Sequence, residues 1–159
     1  MEFDHSKLQI RPAYIDEWDT AMALAWKTFL KYEAEDYTPE GVKNFQDFVT
    51  DQTLKRMFIV GQYRLFCAFY GNCMVGMISI REQAHISLLF VDSDYHCKGI
   101  GRKLCEQAKS YLRDELGEVG MTVNSSPYAV DFYHRIGFRD LRATETQDGI
   151  IYTPMYMRF

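Results

Sequence analysis

The apolar positions of this chain change period several times along its length, and the changes outline a succession of elements. "LQIRPA" alternates apolar and polar side chains and stops at Pro12, as a short strand does. Ile15, Trp18, Met22, Ala25 and Phe29 then recur at steps of three and four, with Asp16 and Glu17 near the start, where the positive end of a helix dipole favours acids. A helix over about 14–33 is predicted. Thr38-Pro39 supplies an N-cap followed by proline at the first helical position, which opens a second helix with the stripe Val42, Phe45 and Val49, broken near Thr50. "TLKRMFIV" fits a further helical turn and the start of a strand equally well.

Period two takes over next. "RLFCAFY" and "CMVGMISI", joined at Gly71-Asn72, read as a hairpin. "HISLLFV" is almost unbroken apolar sequence, expected of a central strand covered on both faces. Helical spacing returns with Ile100, Leu104, Ala108, Leu112 and Leu116, ending at Gly117. "EVGMTVNSS" reads as a strand, and Ser126-Pro127 starts a short helix in which Ala129, Phe132, Tyr133 and Ile136 share a face and Gly137 closes. "FRDLRATETQ" and "IIYTPMYMRF" form a closing strand pair around Asp148-Gly149, and Pro154 suggests an edge or a bulge. With no repeat, linker or low-complexity tract, the pattern predicts one α+β domain over 1–159 with a mixed sheet.

Composition adds exclusions. At 159 residues and 47% hydrophobic composition, the chain has apolar material for a single core. The net charge of −4, with no block of lysines or arginines, argues against a nucleic-acid or anionic-membrane surface. No apolar run reaches the length of a membrane span, and "MEFDHSKLQI" lacks the plan of a signal peptide, so a cytoplasmic protein is expected. Cys67, Cys73, Cys97 and Cys105 show no metal-ligand spacing; reduced thiols and no metal are expected.

One stretch asks for chemistry. In "DYHCKGIGRKL" two glycines stand between the apolar strand run and the helix. The first turn of a helix presents unpaired N–H groups and a positive dipole end, and glycine removes the side-chain wall in front of them. A phosphate or diphosphate fits there, against the amides of about residues 97–102, with Lys98, Arg102 or Lys103 adding charge. The dinucleotide fingerprint needs a third glycine where Leu104 stands, and no Walker A glycine-lysine-serine/threonine occurs.

"LLFVDSDYHCKGIGRKL" resembles the acyl-CoA-binding motif of the GNAT superfamily of N-acetyltransferases, arginine or glutamine, two residues, glycine, any residue, glycine or alanine. Here it runs His96-Cys97-Lys98-Gly99-Ile100-Gly101, with histidine at the first position. "NSSPYAVDFYHRIGF" is similar to a second family segment, with Ala129, Phe132-Tyr133 and Gly137-Phe138 in register and Ser126 where asparagine is common. The resemblance is strongest over about 85–138. It implies a mixed, mostly antiparallel sheet with splayed central parallel strands and helices on both faces. It also implies acetyl-CoA as co-substrate, with the pantetheine arm pairing with backbone around Phe90 and Val91 and the diphosphate on His96, Cys97, Lys98, Gly99, Ile100, Gly101 and Arg102. Ser126 would lie near the pantetheine.

By the same resemblance Tyr133 is the general acid towards the departing thiolate, in direct transfer to a primary amine of a small molecule or peptide. Glu82 is one candidate base, and Glu33, Glu35 and Asp36 are others; His85 and His134 read as structural. A backbone N–H near Phe90 is a candidate to stabilise the developing oxyanion. Two other classes fit the residues: a catalytically silent acyl-CoA-binding or regulatory module, and an interaction protein whose "IIYTPMYMRF" end pairs with a second copy as a homodimer.

Overall fold

The computed structural model describes residues 2–159. Strand β1 (Leu8–Pro12) leads through a 3₁₀ turn at Ile15–Glu17 into α1 (Trp18–Tyr32). Ile15, counted above in the helical stripe, lies in that turn and is 57% exposed. The buried stripe starts at Trp18 and runs through Met22, Ala25 and Phe29. A 3₁₀ turn at Ala34–Asp36 separates α1 from α2 (Pro39–Val49), which Thr38 caps by accepting from the Gly41 N–H at 3.1 Å. Asp51 caps α3 (Gln52–Ile59), so the ambiguous "TLKRMFIV" is helix.

Strands β2 (Arg64–Tyr70) and β3 (Cys73–Arg81) form the antiparallel hairpin the pattern predicts, and β4 (His85–Val91) pairs antiparallel with β3 to extend it into a meander. Helix α4 (Ile100–Ser110) follows, then a π-helical turn at Tyr111–Glu115. The wider turn rotates the helix face, which is why Leu116, four residues beyond the buried Leu112, ends 54% exposed instead of continuing the stripe. β5 (Gly120–Ser125), α5 (Val130–Arg135), β6 (Arg139–Asp140), β7 (Glu145–Gln147) and β8 (Ile150–Arg158) complete the chain.

The strand order is β1-β2-β3-β4-β5-β8-β6, with β7 also paired to β8; β4 and β5 are parallel and their neighbours antiparallel. One core lies on the sheet face covered by α4 and α5, around Leu104, Leu112 and Phe138; the other lies under α1, α2 and α3, around Phe29, Phe45 and Leu65. Among the described residues no helix is long and apolar enough to cross a membrane.

Pro154 is not at a sheet edge. β8 is flanked by β5 on one side and by β7 and β6 on the other. The Leu141 N–H donates to Pro154 O at 2.8 Å, so the side of Pro154 that lacks a donor faces the break between β6 and β7. The strand predicted across "FRDLRATETQ" is therefore two short pieces. Both edges of β8 are occupied within the chain.

Candidate active site

Two local irregularities shape the site. The first is the ladder between β4 and β5, which is only two residue pairs long, His85 with Thr122 and Ile86 with Val123; beyond it the strands part. The second is a β-bulge in β4: Leu88 pairs with Ser79 and Ile86 with Ile80, leaving Ser87 without a partner. The bulge inverts the alternation of the strand, so Ile86 packs in the α4 core while Leu88 and Phe90 pack under α1 and α2. It also decides which backbone groups face the gap. The Asp92 N–H donates to Val75 O at 2.8 Å across β3, so by the period of two the N–H and C=O of Phe90 also face β3, and those of Leu89 and Val91 face the gap. Phe90 is thus corrected as a backbone partner for a ligand in the gap. Its ring instead lies 5.8 Å from that of Phe45, on the wall of the cleft.

The glycine loop sits at the open end of the gap. Cys97 and Gly99 both have positive φ, 61° and 80°, and a Cβ on Gly99 would meet nothing within 4 Å. Glycine is required there by backbone conformation, and the space in front stays open. Gly101 has a different reason: a Cβ would lie 3.1 Å from the Phe132 ring, so this glycine lets the first turn of α4 pack on α5. Among the described residues no protein group accepts from the amides of residues 97–102, and the first helical bond is Lys103 N–H to Gly99 O at 3.1 Å. Lys98 is exposed and Arg102 lies on the surface near Glu106 at 3.4 Å, while Ile100 is buried in the α4 core and offers only its amide.

His96 does something the loop motif does not announce. Its Nε2 donates to Val91 O at 2.7 Å, and its ring centroid is 5.0 Å from that of Tyr32, which stacks in turn on Tyr128 at 5.0 Å. The imidazole ties the loop to the end of β4 and to α1, and takes one gap-facing carbonyl. Tyr32 and Tyr128 carry no sequence signal for this contact, because they come from elements almost a hundred residues apart.

Below the loop a cleft of about 430 Å³ is lined by residues of α1, α2, β4, β5, α5 and β8. Tyr133 and Glu33 both face it. Tyr133 is 5% exposed, its ring sits edge-on to Phe132 and Phe138, and its hydroxyl donates to no protein acceptor among the described residues. Burial raises its pKa well above the usual phenol value, and the neighbouring Cys105 thiol and Glu33 carboxyl act in the same sense. Glu33 stands at the C-terminal end of α1, where a carboxylate meets the negative end of the helix dipole. Burial pushes its pKa up to about 7; the Ser126 hydroxyl beside it pulls the other way and the Asp36 charge adds to the rise. Ser126 itself is 8% exposed and precedes the turn into α5.

The other candidates separate from this pair. Glu82 is exposed in the β3–β4 turn and lies outside the cleft lining; Glu35 is exposed as well. His85 lines the cleft, but its Nδ1 is 2.7 Å from the Thr122 hydroxyl, and burial, reinforced by the Arg81 charge, lowers its pKa to about 4, which makes it a weak base. His134 is on the surface, 2.7 Å from Asp140.

The arrangement has relatives. Residues 33–159 match the family model described as an acetyltransferase (GNAT) domain. The chain belongs to the GNAT acetyltransferase family. Membership carries the enzymatic class with it, an acyl-CoA-dependent acetyltransferase. Over 155 residues, 97% of each chain, it is 23% identical to the uncharacterized N-acetyltransferase YafP of Escherichia coli strain K12. The fold matches a GCN5-related N-acetyltransferase from Rhodopseudomonas palustris with a TM-score of 0.82 at 21% identity, covering 100% of both chains. PaiA N-acetyltransferase from Thermoplasma acidophilum, solved in complex with coenzyme A, matches with a TM-score of 0.78 at 19% identity, over 96% of this chain and 99% of that one.

Glycine 99 gives a direct test of the loop. Gly99→Ala forces an L side chain into the left-handed region at a cost of about 1–2 kcal/mol. Acetyl-CoA affinity measured by calorimetry is expected to fall roughly fivefold to thirtyfold if the loop relaxes to avoid that strain. An affinity equal to wild type would mean that the loop conformation has no part in holding the ligand.

Proposed function

We propose that this chain transfers the acetyl group of acetyl-CoA to a primary amine by direct attack in a ternary complex. The observation that carries the reading is the pairing, on one cleft, of an unpartnered phenol, Tyr133, with a half-buried carboxyl, Glu33, at the mouth of the gap between β4 and β5. The residues fit the coenzyme. Unpartnered amides at residues 97–102 suit a diphosphate, and Leu89, together with the Val91 N–H, suits an amide-rich pantetheine arm, which pairs as an added strand would.

In this mechanism Glu33 accepts a proton from the incoming ammonium, directly or through a water, which frees the nitrogen lone pair. The amine nitrogen forms a bond to the thioester carbonyl carbon. Negative charge on the carbonyl oxygen meets a gap-facing N–H of Leu89 or Val91, in place of the Phe90 group expected from the sequence. As the C–S bond breaks, its electron pair stays on sulfur and Tyr133 donates its hydroxyl hydrogen to the thiolate, while the second proton of the attacking nitrogen passes, directly or through water, to the phenolate oxygen, leaving a neutral amide and a restored phenol. A phenol with so high a pKa is fully protonated at any working pH, as a donor must be. The same dry surroundings raise the thiolate's own proton affinity, which favours its taking the hydrogen.

Thermal unfolding tests the reading first. Acetyl-CoA at a hundred times its dissociation constant is expected to stabilise the fold by about 2.7 kcal/mol, several degrees in Tm for a domain of this size. Thiol release on adding amines should follow. Absence of any shift with acetyl-CoA and with free coenzyme A would refute the proposal.

A further inference from the structure

We infer that the acceptor is a small amine with an apolar body and a single cationic centre, and that the β7–β8 turn, latched onto α2, keeps lysines of folded proteins out of the cleft. The inference rests on the amine-acetylating reading above and specifies its substrate class.

The latch is a built contact. Gln147 and Ile150 pair directly, and the two residues between them, Asp148 and Gly149, have φ of 53° and 79°, the mirror-image geometry of a two-residue hairpin turn. The tip lies on the start of α2: Thr38 N–H donates to Gly149 O at 3.2 Å, and Asn44 Nδ2 donates to Asp148 O at 3.1 Å. Gly41 and Gly149 meet backbone to backbone. A Cβ on Gly41 would run into the Gly149 carbonyl, and one on Gly149 into the Thr38 hydroxyl. Further back, the Tyr152 hydroxyl bonds to Glu145 at 2.9 Å and to Gln147 at 3.2 Å, which stiffens the hairpin.

The cleft lies between the two joined elements, with Phe45 and Phe48 of α2 on one wall and Ile150 and Tyr152 of β8 on another. A groove bridged in this way admits a ligand end-on and refuses the wide body that carries a protein lysine. Its volume of about 430 Å³ must hold the reacting end of the coenzyme as well as the acceptor, and small-ligand sites run from roughly 300 to 1,000 Å³ in all.

The lining narrows the chemistry further. Phe29, Phe45, Phe48, Phe90 and Tyr152 set rings on its walls among aliphatic and polar side chains, which gives an apolar body and a cation ring faces to lie against. The acids lining it are Glu33 and Asp148 alone, and Arg81 stands at the His85 end, where it repels a second cation. A polyamine finds the half-buried Glu33 carboxylate inside and the opposing Arg81 charge beyond it, with the second acid, Asp148, exposed at the hairpin tip.

The test is thiol release by the full chain with acetyl-CoA against phenethylamine, hexylamine, spermidine, a lysine-containing peptide and a folded protein rich in surface lysine. The two monoamines should exceed spermidine and the peptide by about tenfold or more in kcat/KM, with no turnover of the folded protein. Gly41→Ala, which displaces the tip, and Asn44→Ala, which removes a bond to it without bulk, should each raise the peptide-to-hexylamine ratio severalfold. A folded protein acetylated as well as hexylamine, or spermidine as the best acceptor, would overturn the inference. Folded variants of both kinds with an unchanged ratio would overturn the latch. Acetyl-CoA binding without thiol release for any acceptor would instead remove the enzymatic reading, and the inference with it.

Discussion

Tyr133→Phe is expected to lower kcat by about tenfold to a thousandfold while acetyl-CoA affinity stays at the wild-type value. The phenylalanine ring keeps the contacts with Phe132 and Phe138, so the core of α5 remains packed. What disappears is one hydroxyl, already unpartnered within the protein, so no buried group is orphaned and stability should change little. The loss falls on the step in which sulfur leaves, and acetyl donors with better leaving groups than a coenzyme A thiolate should recover part of the rate. Equal kcat in the variant would remove Tyr133 from the chemistry and leave it a packing residue.

Glu33→Gln carries the second large effect and has a pH signature. A base must be deprotonated, so kcat/KM should fall as pH drops through about 7, the value to which burial raises this carboxyl. In the variant that limb should vanish, with activity down by about a hundredfold at pH 8, within the range for general-base removal. Stability gives an independent reading. Between an ordinary value near 4.5 and about 7 the folded chain holds the Glu33 proton and the unfolded chain has lost it, so this residue costs stability as pH rises through that window. The variant should therefore be more stable than wild type at pH 8, with the difference closing towards pH 4.5. His85 titrates with the opposite slope, its pKa lowered to about 4, but it is common to both proteins and cancels in the difference. A pH profile unchanged by the substitution would move the base elsewhere.

Helices α1, α2, α4 and α5 and the β2–β3 hairpin were legible because their apolar periods are strong and their caps sit in the sequence itself, Thr38-Pro39 and Gly117 among them, whereas "TLKRMFIV" carries no period that separates helix from strand. The glycine loop and Tyr133 were legible because a family resemblance fixes their register. Glu33 was visible only as one of three acids in "KYEAEDY"; nothing local separates it from Glu35, and burial decides between them.

The sequence by itself determined the order of the elements and the kind of most of them, the α+β class and the place of the glycine loop between strand and helix, since period, capping and motif are local properties. Only the tertiary structure decided the Ser87 bulge that turns Leu89 and Val91 to the gap, the tie from His96 to Val91, and the latch of Gly149 on Gly41. Each of these depends on backbone or side-chain groups distant in sequence competing for the same space and the same hydrogen bonds, and no period along one strand or helix records that competition.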